Sequence, residues 1–158
     1  MLNTEYLAVN DDEFEYLKFI QEELSGTICH TTLKNETYEK ILKDGKIRHS
    51  QEKLSNWYKN SFGFNNNCVC LFDFRNTKHH TQYLKNAITC FFPYYIFILK
   101  KEEYPNIIPV KSYAEISANQ DTGYGVPYYE CWYKGDLSLE KIEKVIIVKH
   151  KKNEFSLF

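Results

Sequence analysis

The chain has 158 residues and a formal net charge of −1, with 43% hydrophobic and 26% charged residues. This length is typical of one domain and this balance is typical of a globular core, which excludes an intrinsically disordered chain. A charge so close to zero gives no global field that attracts nucleic acid or an anionic membrane, so a nucleic-acid target would need a local basic patch.

No targeting or membrane segment is expected. The first residues have neither a basic region nor an uninterrupted apolar stretch, and the apolar run at residues 90–99 contains Pro93 and is too short to span a bilayer. Without a secretion signal, the five cysteines are expected to be reduced and mostly buried. We therefore expect one cytoplasmic domain covering residues 1–158, without membrane contact.

The first predicted elements are a helix and a strand. Residues 11–24 place apolar side chains on one helical face, and Gly26 is the expected stop. Residues 27–33 are short and rich in threonine, which favours a strand. The sequence thus predicts an N-terminal helix as the first element of the fold.

A second helix is predicted at residues 36–44. Asn35 is a suitable cap and Gly45 is a suitable C-terminal stop. The apolar face of this helix is predicted to contain Tyr38, Ile41 and Leu42. After Gly45 the chain is expected to continue as an extended segment.

The rest of the chain is rich in predicted strands. Residues 65–67 are a turn signal before a strand at 68–74, and weaker helical patterns cover 54–59 and 79–87. Later strands are predicted at residues 94–99, 107–113, 128–133 and 142–148, with a helical turn within 137–141. Early helices and late strands without regular βαβ alternation favour the α+β class.

The most informative motif lies at residues 29–47, where the predicted strand ends in His30, Thr31 and Thr32. Backbone polar groups beside such a histidine can hold the amide and hydroxyl groups of one ligand together. This segment resembles the opening motif of the ADP-ribosyltransferase fold, as in poly(ADP-ribose) polymerases, DarT-type toxins and RNA 2′-phosphotransferases. The matching positions are His30, Thr32, Asn35, Ile41, Leu42, Gly45 and Ile47.

Two later segments resemble further motifs of the same fold. Residues 67–73 resemble its second strand, and the helix predicted after them carries Tyr83. Residues 129–133, followed by an apolar strand, resemble the strand that carries the catalytic glutamate, which is Glu130 here. The resemblance implies a single-domain split β-sheet with an N-terminal helix.

The resemblance also implies the chemistry. In the family the histidine, here His30, bonds a ribose hydroxyl of NAD, and the adjacent backbone, here Thr31 and Thr32, binds the nicotinamide carboxamide. An aromatic residue, here Tyr83, stacks on nicotinamide, and Tyr38, Tyr128, Tyr129 and Phe64 are alternatives for this role. The glutamate, here Glu130, bonds the ribose 2′-hydroxyl and stabilises the oxocarbenium-like charge that develops as nicotinamide leaves. NAD is then the co-substrate and no metal is expected.

The implied function is mono-ADP-ribosylation of a cytoplasmic macromolecule by a toxin-like or defence-related enzyme. The acceptor is a protein or a nucleic acid, and an antitoxin is a candidate partner. Thr31 stands where polymerases carry glycine, and the usual second-strand tyrosine is replaced by Cys70 or Phe72. These departures argue against chain formation and leave mono-ADP-ribosylation or NAD hydrolysis as the implied activity. They also favour an alternative, a catalytically inactive module on the same fold that binds a nucleotide or a protein.

Other polar residues carry weaker signals. Arg75 is a candidate contact for the NAD pyrophosphate or for a nucleic acid. His30 together with His79 or His80 would suit a metal-free ribonuclease, which is the least favoured function. The basic segment 149–152 is typical of a solvated end, but it is also a candidate local patch for nucleic acid.

Residues 68–80 contain two cysteines and two histidines, which could form a zinc site or, for the cysteines, part of the core. Cys68 and Cys70 alternate along a predicted strand, so their thiols point the same way, and His79 and His80 follow. Structural zinc sites more often use a Cys-x-x-Cys spacing. Buried thiols are therefore preferred over a metal site.

Overall fold

The computed structural model describes residues 1–9, 13–49, 62–76, 78, 95–109 and 129–150. The strands of its main sheet are β1 (Asn3–Val9), β2 (Ile28–Thr32), β4 (Cys68–Asp73), β5 (Tyr95–Leu99), β6 (Ile107–Ile108), β7 (Glu130–Lys134) and β9 (Ile142–His150). Their order across the sheet is β1-β9-β5-β2-β4-β7-β6. β1 and β9 are parallel, and the other neighbours are antiparallel. A second, two-stranded sheet pairs β3 (Lys46–Ile47) with β8 (Leu137–Ser138).

The helical segments are few and short. They are α1 (Glu13–Phe19) with a π-helical continuation (Ile20–Leu24), α2 (Asn35–Asp44), α3 (Phe62–Asn65), and 3₁₀ segments at Lys101–Asn106 and Leu139–Lys141. Within the described ranges, no helix has both the length and the apolar composition needed to cross a bilayer. The protein is thus an α+β protein dominated by one large mixed sheet.

The main sheet is covered by helical structure on both faces. On one side, the α1 face, Phe19, Ile20 and Leu24 belong to the same buried cluster as Ile96 and Ile98 of β5. On the other side, the α2 face, the buried cluster contains Tyr38, Ile41, Ile47, Leu137, Phe97, Leu99 and Val145. Since alternate strand residues point to opposite faces, a strand buried on both sides is apolar throughout. The sequence Tyr-Ile-Phe-Ile-Leu of β5 meets that requirement.

Several predicted elements are confirmed in place and type. A helix within residues 11–24, described from residue 13, the helix at 36–44 and the strands at 27–33, 68–74, 94–99, 128–133 and 142–148 are all present with small shifts at their ends. Gly45 ends α2 in the left-handed conformation, with φ 68°, as its role as a stop requires. The predicted helices at 54–59 and 79–87 lie outside the described residues, and of the strand at 107–113 only Ile107–Ile108 and Pro109 are described.

Three predictions are wrong. The first element is β1 rather than a helix, and its pattern is weak because only Val9 is fully buried. Asn35 does not cap α2. Lys34 occupies the cap position without a side-chain bond, and Asn35 Oδ1 instead accepts from Tyr95 Oη at 2.7 Å. Leu42 is 38% exposed, because α2 buries only Tyr38 and Ile41.

Candidate functional site between β2 and β4

The strands that carry the three sequence motifs are neighbours in the sheet. His30 lies on β2 and Glu130 lies on β7, and β4 pairs with both strands. Residues that are a hundred positions apart in the chain are therefore separated by a single strand. This arrangement makes the region around β4 the candidate site.

The sheet opens between β2 and β4. Their ladder consists of the pairs Ile28–Asp73 and Cys29–Phe72. β2 nevertheless continues to pair with β5 through Thr32, and β4 pairs with β7 from Cys68 onward. Beyond Cys29 the two strands therefore belong to separate ladders, and we call the space between residues 30–32 and 68–70 the β2–β4 opening.

The imidazole of His30 spans the start of this opening. Its Nδ1 lies 3.0 Å from the carbonyl oxygen of Cys70, and because a carbonyl only accepts, Nδ1 carries the proton and Nε2 is an acceptor. Burial lowers the pKa of His30, and the bond to the Cys70 carbonyl opposes this shift in part. The ring is thus neutral near pH 7, and its centroid lies 6.1 Å from that of Phe97.

The backbone of Thr31 also faces the opening. The Thr27 carbonyl accepts from the Phe74 N–H at 2.8 Å, so it points toward β4. Backbone polar groups alternate sides along a strand, and Cys29 and Thr31 therefore point the same way. Cys29 pairs there with Phe72, whereas Thr31 lies beyond the last pair of the ladder. Its N–H and C=O are consequently directed into the opening.

Glu130 is a buried carboxylate at the start of β7, where a buried cysteine and two buried aromatic residues follow it. It is 8% exposed, and its Oε1 accepts from the indole Nε1 of Trp132 at 3.0 Å. A buried charge needs hydrogen-bond donors to offset lost hydration. The indole N–H, which can only donate, meets that need for the ionised form.

The register assigns the two candidate side chains to different faces. Glu130 pairs with Phe72 and Phe72 pairs with Cys29, so all three share the α1 face. His30 pairs with Phe97, which belongs to the α2 face. A ligand that contacts both His30 and Glu130 must therefore reach both faces of the sheet, and the end of the β2–β4 ladder is the candidate place for such contact.

Both candidate residues are attached to one cross-strand pair. Cys70 pairs with Trp132. His30 bonds the carbonyl of Cys70, and Glu130 bonds the indole of Trp132. Gly63 of α3 lies against the same pair, since a Cβ at this position would come within 2.6 Å of Cys70 Sγ and 3.0 Å of Trp132 Cδ1. The Cys70–Trp132 pair is thus the structural link between the imidazole and the carboxylate.

Sequence reasoning missed Trp132 and Gly63. The signal for Trp132 was present, because residues two apart on a strand share a face and Glu130 needed a donor. Nothing in the polar and aromatic segment before β4 distinguishes Gly63.

The other predicted site residues are placed as follows. Arg75 is exposed and already engaged, with Nε and Nη2 donating to Asp73 at 2.9 and 2.7 Å and its guanidinium 5.4 Å from the Tyr104 ring centroid. The hydrogen bond to Asp73 raises the pKa of Arg75. Thr32 pairs with Tyr95 at the end of β2. Tyr83, like His79 and His80, lies outside the described residues.

The cysteines of this region are mostly buried thiols. Cys29, Cys68 and Cys131 are buried, and Cys70 is half-buried. Burial is the main cause that raises the pKa of each of the three buried thiols. In the described part of the chain, no three His, Cys, Asp or Glu side chains converge in a way that suits a metal ion.

Comparisons of the chain with protein-family models, with curated proteins and with solved structures give no match. Any functional inference therefore depends on the residues and geometry of the chain itself.

Proposed function

We propose that the chain is an NAD-dependent mono-ADP-ribosyltransferase with an ADP-ribosyltransferase-like split sheet. The observation that carries this proposal is the β2–β4 opening. On β2 it has a neutral imidazole and a backbone segment beyond the last pair with β4, and a buried carboxylate lies on β7, the other neighbour of β4. These are the group types that recognition and cleavage of NAD require.

The backbone of Thr31 suits the nicotinamide carboxamide. A primary carboxamide donates through its NH₂ and accepts through its C=O, and Thr31 directs one acceptor and one donor into the opening. His30 Nε2, an acceptor in the tautomer fixed by Cys70, suits a ribose hydroxyl. The two residues are adjacent in sequence, so one nucleoside can engage both.

Glu130 supplies the negative charge for bond cleavage. When the bond between nicotinamide and ribose breaks, the ribose carbon becomes oxocarbenium-like, and a carboxylate held nearby stabilises that charge. Burial strengthens the interaction, because the effective dielectric constant is lower than in water. In this proposal Tyr83 stacks on nicotinamide and the cleaved ADP-ribose passes to a macromolecule, a protein or a nucleic acid. The enzyme is toxin-like or defence-related, acts in the cytoplasm, and has an antitoxin as a candidate partner.

A second candidate is a binding module on the same fold without turnover. Two observations favour it. Thr31 carries a side chain where the related polymerases carry glycine, and the Glu130 carboxylate already has the Trp132 indole as a partner. Such a module would bind NAD or ADP-ribose and leave it intact.

The test is release of nicotinamide from NAD by the purified protein, with cell lysate as a source of acceptor. Glu130→Gln keeps the size of the side chain and an acceptor for Trp132 but removes the charge, so we expect a loss of at least about 100-fold. The matched control is Glu140→Gln, which changes an exposed glutamate in the 3₁₀ segment Leu139–Lys141 and should leave the rate unchanged.

The outcomes separate the two candidates. Nicotinamide release that depends on Glu130 supports the transferase, and labelled NAD then identifies the acceptor. Wild-type turnover by Glu130→Gln contradicts the transferase. Binding of NAD or ADP-ribose by a folded wild-type protein that releases no nicotinamide supports the binding module.

A further inference from the structure

We infer that Trp132 is the positioning residue of Glu130, and that its indole N–H holds the carboxylate charged and fixed in direction at the β2–β4 opening. The functional part of this inference depends on the proposed function, whereas the contact itself does not.

The hydrogen bond between Trp132 and Glu130 favours the charged form of the carboxyl group. Nε1 of Trp132 donates to Oε1 of Glu130 at 3.0 Å, and the two side chains are 2% and 8% exposed. An indole donates but never accepts, so it bonds a carboxylate more strongly than the carbonyl oxygen of a protonated acid, and it cannot accept from the O–H of that acid. The contact therefore selects the ionised state that the proposed bond cleavage needs.

The position of Trp132 in the sheet also suits this role. Trp132 is two residues from Glu130 on β7, so the indole and the carboxylate lie on the same face. Trp132 also pairs with Cys70, whose carbonyl binds His30. The indole thus directs the carboxylate toward the Cys70–Trp132 pair, which lies beyond the last pair between β2 and β4.

The close packing of Gly63 against the Trp132 indole also supports this role. A Cβ at Gly63 would lie 3.0 Å from Cδ1 and 3.4 Å from Nε1 of Trp132, both on the edge of the indole that carries the N–H. Contacts this tight force the neighbouring ring to move. The absence of a side chain at position 63 therefore permits the indole orientation that reaches Glu130.

The contact is tested without reference to activity by the resonance of the Trp132 indole N–H. In the wild type we expect its chemical shift to change as the Glu130 carboxyl is protonated at acid pH. In Glu130→Gln this titration should vanish. The adjacent thiol does not interfere, because burial raises the pKa of Cys131 and keeps it neutral. If the chemical shift of the Trp132 indole N–H is unaffected by pH and by Glu130→Gln, the inference is wrong.

The functional role is tested with Trp132→Phe, which keeps an aromatic ring and removes the donor. We expect kcat for nicotinamide release to fall about 10- to 100-fold with KM for NAD nearly unchanged, and the acid limb of the pH profile to move up by about one pH unit. Tyr133→Phe is the matched control. It removes a hydroxyl of the next strand residue, which bonds Lys141 and faces the other cluster.

A double-variant comparison tests whether Trp132 acts through Glu130. In the Glu130→Gln background, Trp132→Phe should have no further effect on the residual rate, because it acts only through the carboxylate. An equal loss in both backgrounds overturns the positioning role. If Trp132→Phe does not fold, Gly63→Ala, which keeps the indole but displaces it, should give the same shift of the acid limb, and an unshifted limb contradicts the role.

Failure of this inference is distinguishable from failure of the proposed function. A wild-type protein that releases no nicotinamide refutes the transferase and with it the catalytic meaning of Trp132. The indole titration would still decide whether Trp132 holds the charged carboxylate.

Discussion

The two sides of β2 differ in how far the strand is paired. Toward β5 the ladder extends over four residues, from Cys29–Ile98 to Thr32–Tyr95. Toward β4 it stops after two pairs, and a side chain takes over when His30 reaches the Cys70 carbonyl. One strand thus belongs to a continuous apolar ladder on one side and borders an opening on the other.

The difference follows from what each neighbour can bury. β5 is apolar at every position from Ile96 to Leu99, so its side chains are buried on both faces of the sheet. This burial stabilises continuous pairing between β5 and β2. The residues of β2 beyond Cys29 are a histidine and two threonines, which are only half-buried. The candidate binding groups therefore lie where burial of apolar side chains stabilises strand pairing least.

The largest predicted effect is on the β5 side. Phe97 is fully buried, and its ring lies 6.0 Å from that of Tyr38 and 6.1 Å from that of His30. Phe97→Ala should lower the free energy of unfolding by about 3–5 kcal/mol, through lost burial and an unfilled cavity. Urea unfolding measures the effect. Thr32→Ala, in the half-buried part of β2, is the control and should cost less than about 1 kcal/mol. Equal costs would remove the contrast between the two sides.

A smaller effect is expected where α3 covers the β4–β7 ladder. Gly63→Ala places a Cβ 2.6 Å from Cys70 Sγ, and the resulting strain should lower the free energy of unfolding by about 1–3 kcal/mol. Removing that sulfur with Cys70→Ala should relieve part of the strain, so the double variant should be more stable than the sum of the single effects predicts. Strict additivity in urea unfolding would show that the two sites do not share this contact.

After β7, an ion pair and hydrogen bonds of Asp136 connect this part of the chain to Lys46 and His49. Asp136 accepts from Lys46 Nζ at 2.6 Å and from the backbone N–H and Nδ1 of His49 at 3.1 and 2.6 Å. The bond from Lys46 is the largest cause that holds the pKa of Asp136 well below its usual range. Because the folded pKa is lower than the unfolded value of about 3.9, this stabilisation is present above that pH and is lost as the pH falls below it.

Asp136→Asn should therefore cost about 1 kcal/mol at pH 7, since Lys46 is 41% exposed and solvent weakens the ion pair. The difference from the wild type should shrink as the pH falls below about 4. Urea unfolding at pH 7 and at pH 3 measures it. Glu5→Gln, which weakens the exposed pair with Lys144, is a control with a smaller expected cost. A deficit of the same size at both pH values would assign the effect to packing instead of charge.

The fold class and most of the long elements could be predicted from the sequence because their apolar patterns repeat with the period of a helix or a strand. The α2 segment and β5 are examples. β1 could not be predicted, since its residues are mostly exposed and its support comes from the parallel pairing with β9 at the far end of the chain. Asn35 was misassigned because its side chain binds Tyr95, a partner that no local pattern reveals.

The candidate site was predictable only in part. The resemblance singled out His30 and Glu130, and their strands are indeed neighbours of β4. Their attachment to the Cys70–Trp132 pair depends on strand register, which pairs residues that are sixty-two positions apart. The early end of the β2–β4 ladder is likewise a property of three strands together, so no single segment of sequence encodes it.

The last prediction concerns the opening itself and the exchange of its backbone amides with solvent, which is measured without altering any side chain. The N–H groups of His30 and Thr32 point toward β5, where the ladder is complete, whereas that of Thr31 points into the opening. In the wild type, hydrogen exchange followed by NMR should therefore be faster at Thr31 than at His30 and Thr32, by a factor on the order of 10 or more. Saturating NAD should slow exchange at Thr31 selectively if its N–H binds the carboxamide. Equal protection of the three amides would mean that β2 and β4 remain closed in solution, and the opening would then lose its proposed role as a binding site even though the β5 ladder stayed intact.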